Sequence, residues 1–119
     1  MILHVEDEAT VAEPVKVALE DEGWEVVTCA DGAEARRRIS GSEHYDLLLL
    51  DNQLPGVSGI ELLRHARSLS HRRRTPVIVL SASDVETEAW GAGADAFLKK
   101  PDDMGAIAGT IKRLLKGRA

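Results

Sequence analysis

Asp51 follows four consecutive leucines, Leu47 to Leu50, and precedes Asn52-Gln53-Leu54-Pro55-Gly56. Left unpaired inside a core, a carboxylate costs several kcal/mol, so this one is read at the mouth of a buried strand. Strand ends in open α/β sheets are also where ligands bind. Three other apolar runs end on polar groups. Ile2-Leu3-His4-Val5 leads into Glu6-Asp7-Glu8, Val77-Ile78-Val79-Leu80 into Ser81, and Ala96-Phe97-Leu98 into Lys99-Lys100. Gathered at one edge, Glu6, Asp7 and Asp51 repel one another and call for protons or a cation. Their hard oxygen donors favour Mg²⁺ over zinc or copper. With the Lys100 amine and the Ser81 hydroxyl added, the site suits a phosphoryl group, whose oxygens the metal, the amine and the hydroxyl would share.

Elements that could gather these residues are visible in the pattern. Apolar runs near residues 2–5, 25–29, 46–50, 76–81 and 95–98 alternate with stretches of helical period. Five strands and five helices in alternation predict one compact, doubly wound α/β domain with a parallel sheet. Right-handed crossovers then bring the first, third, fourth and fifth strand ends to one edge. Asp31, Ser58 and Ser83 each precede a glutamate by three residues and predict the starts of the second, third and fourth helices. The fifth helix is expected after Pro101 with Asp102 and Asp103 in its first turn, Lys112, Arg113 and Lys116 near its end, and Ile107, Ile111, Leu114 and Leu115 buried. In the first helix Val11, Val15, Ala18 and Leu19 keep helical spacing. Pro14 cannot donate to the Thr10 carbonyl, which predicts either a start near Glu13 or a kink. Gly23 ends that helix.

The bulk properties narrow the function classes. A chain of 119 residues forms one domain without staples, and 44% hydrophobic with 29% charged residues excludes disorder and fibrous architecture. The net charge of -5 disfavours nucleic-acid binding by this domain itself. Cys29 is the sole cysteine, so neither an internal disulfide nor a cysteine-rich zinc site forms. The first apolar run is cut short by acids and lacks a basic lead, which predicts no signal peptide, no membrane span and a cytoplasmic protein. His4, His44, His65 and His71 lack metal-ligand spacing, and His4 is expected half-buried in its strand. Arg72-Arg73-Arg74 is expected near the end of the third helix, where positive charge suits the dipole, and Arg36-Arg37-Arg38 on a solvated face. Val85, Ala89 and Ala92 mark the buried stripe of the fourth helix, with Trp90 roughly 140° from Val85. Trp90 is expected to face outward, either as an interface anchor or lying along its own helix.

Four segments, taken in order, resemble the receiver domain of two-component response regulators, the CheY-like family. They are Val5-Glu6-Asp7-Glu8, Asp51 through Gly56 with Gly59, Leu80-Ser81-Ala82, and Gly93 through Lys100-Pro101. Each alone is weak and the ordered set is specific; the resemblance covers residues 1–119 as one receiver domain. It implies a flavodoxin-like (βα)5 fold with a five-stranded parallel sheet in order 2-1-3-4-5 and helices on both faces. It also implies that Asp51 accepts a phosphoryl group from the phosphohistidine of a histidine kinase or phosphotransfer protein. Asp7, Asp51 and the Gln53 backbone carbonyl would hold Mg²⁺, with Glu6 acting through a metal-bound water. Lys100 would contact the phosphoryl group, Ser81 would move toward it, and Phe97, at the family's aromatic switch position, would turn inward. Pro101 matches a proline that often follows a cis peptide.

The same resemblance implies an output surface formed by the fourth helix, fifth strand and fifth helix, with Trp90 on it, for a partner or a homodimer. The chain would process only its own phosphoryl group and would not otherwise be an enzyme. Glu6 stands where aspartate is commoner and Ser81 where threonine is also common, and both keep the chemistry. Gln53 and Ser83 occupy positions that in the family influence phosphoryl loss, and Asp102-Asp103 replace a phenylalanine common after the proline. Two other readings compete. A pseudo-receiver binding module would be expected to lack part of the site, and an aspartyl-nucleophile phosphatase would need an acid where Gln53 stands. A flavodoxin-like cofactor carrier would need a phosphate loop after the first strand. Whether the unit stands alone or belongs to a larger regulator or hybrid kinase is open in the sequence.

Overall fold

The leucine run forms the central strand, β3 (Leu47–Asp51), in a computed structural model that describes residues 1–116. β1 (Ile2–Val5) pairs with β3 on one side and with β2 (Val26–Cys29) on the other. β4 (Val77–Ser81) joins β3 to β5 (Ala96–Lys99), so the sheet is wholly parallel in order 2-1-3-4-5. The register sets Val5 beside Leu50, Asp51 beside Leu80 and Ser81 beside Lys99. The carboxyl ends of β1, β3, β4 and β5 therefore share one edge.

Side chains alternate across the sheet into two cores. Leu3, Val5, Leu48, Leu50, Val77 and Val79 face α2 (Gly32–Ser40), α3 (Gly59–Ser68) and α4 (Glu86–Ala92), packing with Ile39, Leu63 and Ala89. Ile2, Leu47, Leu49, Ile78 and Leu80 face α1 (Ala9–Asp21) and α5 (Ile107–Lys116), packing with Leu19 and Ile111. Because both faces are covered, the strands are continuously apolar rather than alternating. Each fully buried leucine contributes ~1.5–3 kcal/mol of transfer free energy.

The helix ends follow the expected chemistry in some places and depart from it in others. Asp31 accepts from the Ala33 N–H at 2.8 Å and Ser58 from the Glu61 N–H at 3.1 Å, so both cap as their spacing predicts. Ser83 does not cap: α4 starts at Glu86 behind Val85, and the Ser83 hydroxyl is engaged by Gln53 instead. α1 runs through Pro14 from Ala9, which excludes a start near Glu13. It closes at Gly23 (φ 97°), where the Gly23 and Trp24 N–H groups bond the Glu20 and Leu19 carbonyls. Asp102 and Asp103 do not open the last helix. A turn and a short 3₁₀ segment, Met104–Ala106, intervene, and the Asp103 carboxylate accepts from the Lys99 N–H at 2.9 Å. Ile107 and Ile111 are buried in α5, and Leu114 and Leu115 half-buried.

Two further expectations are corrected. His4 is wholly buried between the sheet and the α1/α5 layer, not half-buried, and among the described residues neither ring nitrogen has a hydrogen-bond partner. Burial pushes its pKa down to about 4; the Glu6 charge opposes this shift and the Lys100 charge adds to it. Arg72 does not sit at the end of α3, which stops at Ser68. It turns inward, 2% exposed, donating to the carbonyls of Ile39 at 2.9 Å, Gly41 at 3.1 Å, Arg38 and Glu43. Its guanidinium also lies 4.8 Å from the Tyr45 ring centroid. It thereby satisfies carbonyls that the end of α2 leaves open, a task a lysine's point charge could not divide four ways. Arg73 and Arg74 are exposed.

α3 starts hard against β3, since a Cβ on Gly59 would lie 2.5 Å from the Asp51 carbonyl oxygen and 2.9 Å from its carbon. Gly59→Ala should therefore lower the unfolding free energy by about 1–3 kcal/mol in urea titration. Arg72→Met, which keeps an apolar stem, should cost about 2–3 kcal/mol because buried carbonyls lose a charged donor. For His4, the unfolded imidazole takes a proton near 6.5 and the folded one only near 4, so the unfolded chain binds more protons between those values. That stability is present above the unfolded value and is lost as pH falls, by about 2 kcal/mol between about pH 7.5 and about pH 5. Urea midpoints should show the slope flattened in His4→Leu; an unchanged slope would assign it to other groups.

Candidate functional site

Each strand end places one group. The Glu6 N–H bonds the Cys29 carbonyl at 2.9 Å, extending the ladder past β1 and leaving the Glu6 side chain buried, while Asp7 is exposed. Asp51 closes β3 and is 2% exposed. Beyond β5 the Lys100 N–H donates to the Ser81 carbonyl at 3.0 Å, which turns Lys100 inward and leaves Lys99 outside. Lys100 Nζ then lies 2.7 Å from Glu6 Oε1 and 3.3 Å from Asp51 Oδ2. Glu6, Asp7 and Asp51 each offer an oxygen, all within 4.8 Å of one another. Three carboxylates share one ammonium, so when all are ionised negative charge is in excess.

The electrostatics follow from that imbalance. Burial raises the Glu6 pKa; the Lys100 hydrogen bond opposes this and the neighbouring Asp51 reinforces it. Burial alone would lower the Lys100 pKa, but the hydrogen bond to Glu6 and the charges of Asp51 and Glu6 outweigh it and hold the amine protonated. Asp7 leaves one side of the cluster open to solvent. All-oxygen donors with an open side fit Mg²⁺, which keeps several waters and takes one or two carboxylates.

Ser81 is wholly buried at the end of β4, and its Oγ accepts from Gln53 Nε2 at 2.9 Å and from the Ser83 N–H at 3.0 Å. Gln53 is bound to Asp51 as well, its N–H lying 3.2 Å from Oδ1. The sequence pointed to the Gln53 backbone carbonyl as a metal donor and to its position, like that of Ser83, as one that influences phosphoryl loss, but not to the bond between its side chain and Ser81. Nor did it point to Asn52, whose Oδ1 accepts from the Ile60 N–H at 3.0 Å and ties the start of α3 to the end of β3. An asparagine just before a Pro-Gly turn and a helix start was the available signal. Phe97 sits beside Val79 on β5, half-buried against the core under α2, α3 and α4. Trp90 faces outward, 48% exposed, and its indole N–H donates to Glu86 one turn back at 3.1 Å.

A family model of the response regulator receiver domain matches residues 2–112. The chain is 39% identical over 115 residues to the phosphate regulon transcriptional regulatory protein PhoB of Rhizobium meliloti (strain 1021), covering 94% of this chain and 50% of that protein. It is 35% identical to the cell cycle transcriptional regulator CtrA of Caulobacter vibrioides, covering 99% of this chain and 52% of that one. The chain thus spans about half the length of these curated relatives. Among solved structures, the receiver domain of Francisella response regulator 1452 superposes with a TM-score of 0.90 at 30% identity, covering 99% and 98% of the two chains. The receiver domain of sensor histidine kinase PA1611 from Pseudomonas aeruginosa PAO1, with magnesium coordinated in its active site cleft, superposes with a TM-score of 0.86 at 29% identity, covering 97% and 96%. Among the described residues no helix is long and apolar enough to cross a membrane. Sheet order, strand-end chemistry and relatives agree: the chain belongs to the response regulator receiver domains of two-component signalling.

Proposed function

We propose that Asp51 accepts a phosphoryl group from the phosphohistidine of a partner histidine kinase or phosphotransfer protein. The observation that carries this reading is the Lys100 ammonium held between Glu6 and Asp51, with the Asp7 oxygen alongside. An Asp51 oxygen forms the bond to phosphorus as the bond from phosphorus to the donor imidazole breaks, its electron pair leaving with the ring. The product on Asp51 is an acyl phosphate. Glu6, Asp7 and Asp51 would hold Mg²⁺, with the Gln53 backbone carbonyl as a further oxygen. The bound ion would neutralise charge on the transferring oxygens. Lys100 pairs with one of those oxygens and is kept charged and aimed by Glu6. Ser81 donates its hydroxyl proton to another. The magnesium in the Pseudomonas receiver cleft supports the same ion here.

We place the output on the surface of α4, β5 and α5, where Phe97 and Trp90 would report the state of Ser81 to a partner or to a second copy. Residues 1–119 act as one cytoplasmic receiver unit, and its charge of -5 favours a protein partner over direct contact with nucleic acid. A phosphatase reading is disfavoured because Gln53 occupies the place of the second acid and its amide is engaged by Ser81, Ala82 and Ser83. A phosphate-free binding module would not need a complete set of strand-end groups.

Incubation with Mg²⁺ and acetyl phosphate, followed by intact mass, should show one phosphoryl adduct that Asp51→Asn abolishes. Asp7→Asn, or omission of the ion, should slow its formation on the order of a hundredfold. A folded protein that never takes up the adduct would refute the reading, and steady turnover of phosphate esters would favour the phosphatase instead. Size measurement before and after phosphorylation, in the native chain and in Trp90→Ala, tests the second-copy surface.

A further inference from the structure

Gln53 is exposed, two residues beyond Asp51, yet every polar atom of its side chain is used. Nε2 donates to Ser81 Oγ at 2.9 Å and to Ser83 Oγ at 2.6 Å, and Oε1 accepts from the Ala82 N–H at 3.2 Å. The Ala82 N–H can only donate, so it fixes which end of the amide faces which partner. Ser81 Oγ also accepts from the Ser83 N–H at 3.0 Å. A hydroxyl has two acceptor sites and one proton, so both acceptor sites of Ser81 are filled and only its proton remains to give. Among the described residues Ser81 Oγ makes no hydrogen bond to Asp51, while the Gln53 N–H does, at 3.2 Å. One residue therefore spans the carboxylate and the whole Ser81-Ala82-Ser83 segment. Ser83 Oγ faces this amide and caps no N–H of α4.

We propose that the Gln53 side chain is a clasp that holds the loop after β4 in its resting place, and that Ser81 must break from it to approach a phosphoryl group on Asp51. Gln53 is a positioning residue: it acts through Ser81 and sets how readily the loop moves. Removing the clasp frees the loop before any modification, which shifts the balance between resting and displaced loop. The second half of this inference rests on Asp51 phosphorylation, whereas the clasp itself does not.

Amide hydrogen exchange in the unphosphorylated protein tests the clasp directly. Gln53→Leu should speed exchange at Ala82 and Ser83 about fivefold, the factor a hydrogen bond of ordinary net strength supplies, with the amides of β3 as unchanged controls. Gln53→Glu keeps an acceptor for the Ala82 N–H but loses both donors, so Ala82 should stay protected. With acetyl phosphate, Gln53→Leu should raise the rate of adduct formation by a similar factor, and the gain should vanish in a Ser81→Ala background. Unchanged exchange at Ala82 and Ser83 in Gln53→Leu overturns the clasp. A rate gain that persists without Ser81 overturns its action through that hydroxyl. If the native chain takes up no phosphoryl group, the proposed function fails while the exchange result still decides the clasp.

Discussion

Glu6 and Asp51 are almost wholly removed from water at the carboxyl edge of the sheet, and the ammonium of Lys100 reaches both. Neither carboxylate is tolerable there alone, because a buried charge without a partner costs several kcal/mol. The three residues come from positions 6, 51 and 100, so satisfying them requires β1, β3 and β5 to end at one level. This makes the parallel register more than a packing solution. A one-residue slip of any of these strands would turn its side chains to the opposite face and strand a charge in the core.

The surrounding backbone is arranged to hold that edge rigid. Four leucines anchor β3 on both faces, Gly59 lets α3 start within contact of the Asp51 carbonyl, and Asn52 bonds the second residue of α3. At the far end Arg72 gathers the carbonyls of α2 and the loop after it. The groups left with more freedom lie on one side. Asp7 is open to solvent, and the loop after β4 is tied down by the Gln53 amide and the Ser83 N–H rather than by apolar burial. Rigid carboxylates thus lie beside a polar, hydrogen-bonded loop that Gln53 joins to Asp51. From that loop the chain passes directly into α4 and, through the Lys100 N–H on the Ser81 carbonyl, into the end of β5.

Much of this was legible in the chain. Apolar runs marked all five strands to within a residue, because covered strands must be continuously apolar, and polar residues at their ends marked the edge that carries the candidate site. Asp31 and Ser58 announced α2 and α3 because a cap and its helix are neighbours in sequence. Failures came where a local signal met a distant competitor. Ser83 has the spacing of a cap but is taken by Gln53, 30 residues earlier. Arg72 looks like its two neighbours, and only the carbonyls of Arg38, Ile39, Gly41 and Glu43, 29 to 34 residues away, make it different.

Order and chemistry along the chain were thus sufficient for fold class, for strand order by resemblance, and for singling out Glu6, Asp7, Asp51, Ser81 and Lys100 as strand-end groups that the fold brings to one edge. Those features depend on periodicity, caps and strand ends, which are properties of neighbouring residues. The tertiary structure alone decided that His4 is buried with no hydrogen-bond partner among the described residues, that α5 starts at Ile107 after an intervening 3₁₀ turn, and that Gln53 holds Ser81 through its side chain. The first and last of these turn on which polar groups the fold brings together or leaves apart. Hydrogen bonds form between whichever donors and acceptors the packed chain brings within about 3 Å, and that proximity has no local signature in sequence.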